Sequence, residues 1–103
     1  MKHFILFYDY RADYMEARVP LRPAHMREAF KAIDAGELVL AGAYADPPDG
    51  GALVFRGETR EVAENFARND PYVLNGLVTA WRVREWTTVI GDLALTPVQR
   101  PAE

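Results

Sequence analysis

The chain has 103 residues, 50% hydrophobic and 26% charged, with 12 basic against 15 acidic side chains for a formal charge of −3. That length suits a single domain with one modest core, and the mild acidity lacks the positive field of a nucleic-acid binder. Cysteine and serine are both absent, which excludes disulfides, thiolate and serine nucleophiles, and Cys-ligated zinc or iron–sulfur centres.

Residues His3 to Tyr8 carry the aromatic and β-branched side chains of a strand. The apolar run there ends at Asp9, too short for a secretory leader, and no stretch reaches the ~20 apolar residues of a membrane span. A cytosolic setting is the resulting expectation. Pro23 suits the first turn of a helix over Ala24 to Ala35, stopped by Gly36. Met26, Ala29, Phe30 and Ile33 form its apolar stripe. A second strand is expected over Glu37 to Tyr44, and the Pro- and Gly-rich stretch Asp46 to Gly51 turns the chain into a third, Ala52 to Arg56. Thr59 is a natural N-cap for a second helix with stripe Val62, Ala63, Phe66 and Ala67, ended by Pro71. Leu77 to Trp86 is the last strand. Residues 1–91 form the domain, and 92–103, with Pro97 and Pro101, a C-terminal tail.

The order βαββαβ predicts an α+β, ferredoxin-like fold, an antiparallel four-stranded sheet with two helices on one face. The strands do not alternate cleanly between apolar and polar: Phe4, Leu6 and Tyr8 oppose Ile5 and Phe7, while Leu38 and Leu40 oppose Val39, Ala41 and Ala43. The second face therefore needs a cover. A symmetric partner, with Trp81 or Trp86 at the contact, is the economical one, and the tail folding back is the other.

Only His3 and His25 supply imidazole. His3 has no acidic or histidine neighbour at ligand spacing, so no metal site is expected, and no glycine-rich nucleotide motif points to a cofactor. His25 opens the first helix beside its apolar stripe. Asp70 lies three and four residues beyond Ala67 and Phe66, on the buried stripe of the second helix, where a carboxylate is costly unless paired. Two helices on one sheet face allow the pair to converge as an acid–base dyad, His25 transferring a proton and Asp70 orienting it. Read singly, His25 serves as a hydrogen-bonded structural histidine and Asp70 as a turn residue before Pro71. Arg18 and Arg22 approach His25 and suit a small anion, unless they pair with Glu16 or Asp13. Tyr8, Tyr44 and Tyr72 each offer a hydroxyl to a pocket.

The stretch Arg18-Val19-Pro20-Leu21-Arg22-Pro23-Ala24-His25-Met26 resembles the R-x-x-x-R-P-A-H-L element of the YciI-like (YCII-related domain) proteins. The likeness continues through Gly36-Glu37-Leu38, Ala41-Gly42, Asn69-Asp70-Pro71-Tyr72-Val73, Gly76-Leu77 and Trp86. It implies a protomer of the dimeric α/β-barrel kind, with a His–Asp site at His25 and Asp70 and the arginine element at Arg18 and Arg22. Members of the family are mostly of unassigned function, although it includes an enzyme that eliminates HCl from a chlorinated hydroxyquinol, and the resemblance carries no substrate over to this chain. The family's A-G is commonly followed by proline, whereas Ala43-Tyr44 follows here, so the pocket wall differs. The expected function is a cofactor-independent lyase-, isomerase- or hydrolase-type enzyme acting on a small anionic or phenolic molecule. The alternatives are a non-catalytic binding or accessory protein using the same pocket and, on fold analogy alone, a cofactor-free oxygenase.

Overall fold

Alternation in the first strand sets the layering. In the computed structural model, which describes residues 1–102, β1 (Lys2–Tyr10) buries Phe4, Leu6 and Tyr8 on one face and leaves Ile5 and Phe7 half-buried on the other. The chain continues through α1 (Tyr14–Ala17), α2 (Arg22–Asp34), β2 (Leu38–Ala43), β3 (Gly50–Gly57), α3 (Glu61–Asn69), α4 (Pro71–Leu74) and β4 (Val78–Trp86). The strands order as β2-β3-β1-β4, every neighbour antiparallel. With the two longer helices on one face, this is the ferredoxin-like α+β fold expected. The core lies between sheet and helices, where Leu6, Leu53 and Phe55 meet Ala63, Phe66 and Ala67 of α3.

Several local features depart from the sequence reading. The register of β2 against β3 shifts between Leu38 and Leu40. This bulge places Leu38, Ala41 and Ala43 on the inner face, opposite Phe55, Leu53 and Gly51, and turns Leu40 outward, 70% exposed. Simple alternation had grouped Leu38 with Leu40. Helix α2 begins two residues before Ala24, with Pro23 in its first turn, and Gly36 (φ 75°) takes the left-handed conformation just past its end. Its stripe is core only in part: Ala29 packs against the core and Ala32 is the helix's buried residue, while Phe30 and Ile33 stay 63% and 43% exposed. The cap of α3 is Arg60 rather than Thr59, whose hydroxyl accepts only a long 3.4 Å bond from the Glu61 N–H. Pro71 both ends α3 and opens α4. The one-turn helices α1 and α4 were not expected, since four residues are too few to show a helical period.

On the outer face, β1 and β4 pair His3 with Trp86, Ile5 with Arg84 and Phe7 with Arg82, and the Arg82 guanidinium covers the Phe7 ring at 4.6 Å. Trp86 is 48% exposed there. Trp81 pairs with Tyr8 and packs against the core, so it belongs to the inner face and is no candidate for an outer contact. Beyond β4 the chain folds on itself through the Thr96 N–H to Thr88 O and Val98 N–H to Val89 O bonds. The Thr88 hydroxyl lies 2.7 Å from His3 Nδ1 and accepts the Leu95 N–H. His3, given no role from the sequence, thus anchors the segment after β4; its pKa is held below the usual histidine value by burial and by Arg56. That segment borders the end of the outer face formed by Leu40, Val54 and Trp86. Residue 103, the last of the expected tail, lies outside the described residues.

The unequal burial of two phenylalanines makes a direct check. Phe55 is fully buried and Phe30 is not. Phe55→Ala is expected to cost ~3–5 kcal/mol in urea unfolding and Phe30→Ala less than about 1 kcal/mol.

Candidate active site

The pair singled out from the sequence meets in space. His25, in the first turn of α2, places Nδ1 2.7 Å from Asp70 Oδ1. A carboxylate only accepts, so Nδ1 carries the hydrogen and Nε2 is the ring nitrogen left free. Asp70 is fully buried, and the imidazole retains 13% exposure.

The local sequence explains the placement. The residue before a proline avoids the helical region, and Asp70 accordingly adopts φ −72°, ψ 123° between α3 and α4. There it is the N-cap of α4: its Oδ1 accepts the Tyr72 N–H at 3.0 Å, and its carbonyl accepts those of Val73 and Leu74. The capping role and the histidine-pairing role, posed as alternatives from the sequence, are held by one carboxylate. Its second oxygen, Oδ2, accepts the Tyr8 hydroxyl at 2.7 Å. The imidazole is stacked as well as bonded, lying on Tyr72 at 3.8 Å and 3°, with the Phe66 ring nearly perpendicular to it at 6.4 Å.

His25 stands in the wall of a cavity of about 330 Å³, at the small end of the ~300–1,000 Å³ usual for small-molecule sites. One side is polar and aromatic, formed by Tyr10, Tyr14, Arg18, Arg22 and Tyr72. The other is apolar and includes the stripe of α2, Met26, Ala29, Phe30 and Ile33, with Ala41 and Ala43 from β2. The stripe, core only in part, is therefore also a cavity wall. The bulge in β2 contributes by turning Ala41 and Ala43 inward.

Neither cavity arginine is engaged as the local charges suggested. Asp13 pairs with Arg11 at 2.7 Å, and among the described residues no ion pair engages Arg18 or Arg22. The Arg18 guanidinium sits 5.3 Å above the Tyr14 ring. Tyr44 is not brought to the cavity: it follows the end of β2, 47% exposed, with its ring over Gly50. Tyr10 and Tyr14, stacked at 3.9 Å, occupy the wall instead. Neither was singled out from the sequence, although extending the alternation of β1 from Tyr8 puts Tyr10 on the same face. Tyr8 lies beneath the cavity, not in its wall, as a partner of Asp70.

Burial, then the Asp70 charge, pushes the Tyr8 phenol far above the usual tyrosine range. Burial and Tyr14 raise Tyr10. For Tyr72 the same two causes raise it, while Arg22 and Arg18 pull the other way. The Tyr72 hydroxyl is buried without a hydrogen-bond partner, which ordinarily costs ~1–3 kcal/mol. A larger cavity of about 460 Å³ lies on the outer face beside the segment after β4, away from the His25–Asp70 pair.

Fold and cavity together define a ferredoxin-like protein with a helix-side cavity lined by the imidazole of a His–Asp pair. The chain belongs to the YCII-related domain family, whose model matches residues 1–87. Protein YciI of Escherichia coli O6:H1 is 34% identical over 83 residues, covering 72% of this chain and 85% of that protein. Among solved structures, the 5-chloro-2-hydroxyhydroquinone dehydrochlorinase TftG of Burkholderia phenoliruptrix AC1100, in complex with 2,5-dihydroxybenzoquinone, superposes with a TM-score of 0.71 at 19% identity. That match covers 84% of this chain and 94% of TftG. A NIPSNAP family protein of Agrobacterium tumefaciens shares the fold at a TM-score of 0.57 and 13% identity, over 90% of this chain and 95% of that one. No helix among the described residues is long and apolar enough to cross a membrane.

The Tyr8–Asp70 bond has a pH signature. The folded-state pKa of Tyr8 lies above its unfolded value, so its contribution to stability is fully present below about pH 10 and is lost as pH rises above that. Urea unfolding of the parent is expected to lose more stability between about pH 9 and 11 than that of Tyr8→Phe, which lacks the ionising group.

Proposed function

We propose that this protein is a cofactor-independent enzyme that performs acid–base chemistry on a small anionic or phenolic organic molecule. The observation that carries the reading is the 2.7 Å His25–Asp70 bond, which commits Nδ1 and leaves Nε2 as the free nitrogen of a cavity-lining imidazole. In this reading Nε2 takes a proton from the bound molecule and Asp70 stabilises the imidazolium that results. His25 and Asp70 are the catalytic pair. Arg18 and Arg22, free of carboxylate partners among the described residues, hold the substrate's negative oxygen. Tyr72, in the same stretch of wall, is the remaining substrate-binding side chain of the scheme. Tyr44 has no place in this scheme. An apolar or aromatic body lies along Met26, Ala29 and Phe30.

Elimination and isomerisation begin with such a proton transfer, and in hydrolysis the same base takes its proton from an attacking water, so the reaction class is lyase-, isomerase- or hydrolase-type. The dehydrochlorinase activity of TftG, a protein of the same fold, is one elimination of this kind. The accompanying assembly is a homodimer formed through the outer sheet face, where Ile5, Phe7, Leu40, Val54 and Trp86 present apolar surface. Its setting is cytosolic, in keeping with the cysteine-free composition.

A turnover screen of small aromatic and aliphatic carboxylates, phenols and quinols tests the site. For a substrate found with the parent protein, His25→Ala is expected to lower kcat by ~10²–10⁴-fold, with Asp70→Asn lowering it in the same direction. Arg22→Gln is expected to weaken anionic compounds and spare their neutral analogues. A compound that binds tightly, is recovered unchanged, and loses only affinity in His25→Ala identifies a binding or accessory protein instead. Light scattering is expected to give twice the chain mass, falling to the single-chain mass in Trp86→Asp.

A further inference from the structure

Asp70 is an unusually complete acceptor. Oδ1 takes the His25 Nδ1–H and the Tyr72 backbone N–H, and Oδ2 takes the Tyr8 hydroxyl. The first two donors follow from the histidine pair and the helix cap. Neither role requires the third. A buried carboxylate oxygen needs a donor, but the one supplied is a phenol from the central strand of the sheet, 62 residues away in sequence. Tyr8 is itself buried, and its hydroxyl can donate to only one acceptor.

We propose that Tyr8 is the third member of a hydrogen-bonded chain, Tyr8–Asp70–His25, and that through Asp70 it sets the basicity of His25. A carboxylate loaded by a strong donor carries less charge on the oxygen facing its other partner, so it stabilises the imidazolium less. Tyr8 is thus a positioning residue that touches no ligand. It holds the carboxylate plane and tempers Asp70, so that His25 releases as well as accepts its proton. The phenol stays protonated, and hence a donor, because burial and the Asp70 charge both oppose its ionisation. The other polar neighbours of the imidazole act elsewhere. Tyr72 stacks on its face, Tyr14 meets the Tyr72 ring edge-on, and Arg18 and Arg22 belong to the cavity wall.

The inference rests on His25 being the proton-transferring group, yet its test needs no substrate. The midpoint of His25 protonation is followed by NMR in protein labelled with ¹⁵N-histidine, where His3 serves as an internal reference. Tyr8→Phe removes the donor and is expected to raise the midpoint by roughly half to one pH unit. Replacing Tyr8 with 3-fluorotyrosine, a more acidic phenol and stronger donor, is expected to lower it. An unmoved midpoint in both variants, or shifts in the opposite sense, overturns the proposal. Should Tyr8→Phe fail to fold, the fluorotyrosine protein decides alone, since it keeps the shape and the bond. If the midpoints move as expected while His25→Ala leaves turnover intact, the chain is real and the catalytic reading fails.

Discussion

One fully buried carboxylate organises the helix side of this protein. Asp70 sits where α3 hands over to α4, and its desolvation has to be offset by donors from elsewhere in the fold. Those donors come from three elements: the imidazole of α2, the first turn of α4 and the phenol of β1. Each bond fixes one element relative to another. Removing the carboxylate would leave a buried phenol, an imidazole and a backbone N–H short of a partner. Structural and chemical demands therefore fall on the same atoms.

The cavity inherits its character from this arrangement. Tyr72, capped by Asp70, stacks on His25 and faces the imidazole's open side toward a wall shared with two arginines. Helix α2 also supplies the apolar part of the lining, Met26, Ala29, Phe30 and Ile33, beside Leu38 and Leu53. The cavity lining thus combines charged and hydrogen-bonding groups with an apolar surface.

Much of this was legible in the sequence, for identifiable reasons. The four strands and two longer helices announce themselves by period, and two helices on one sheet face allow His25 to converge with Asp70 without requiring it. The resemblance running from Arg18 to Trp86 pointed to the same pair. Position along a helix proved readable, but what lay opposite it did not. Phe30 and Ile33 carry the same periodic signal as core residues, yet they line a cavity together with Ala41 and Ala43 of β2. The bulge after Leu38 reversed the face of Leu40 because one extra residue inverts a period of two. Trp81 and Trp86 looked equivalent until the register of β4 against β1 separated them. Tyr8 was visible as a pocket candidate, but its bond to Asp70 depends on a contact across 62 residues that no local pattern encodes.

The exposed stripe of α2 has an evolutionary corollary. Because Phe30 and Ile33 remain open to solvent, exchanging them costs the folded state little. The hydrogen-bonded group behind the imidazole has no such freedom, since Asp70, Tyr8 and Tyr72 are all fully buried in the fold. Mutational tolerance is thus divided across a single cavity. One helix face of the cavity can therefore vary in sequence at little cost, while the buried hydrogen-bonded group around Asp70 is held constant by the demands of folding.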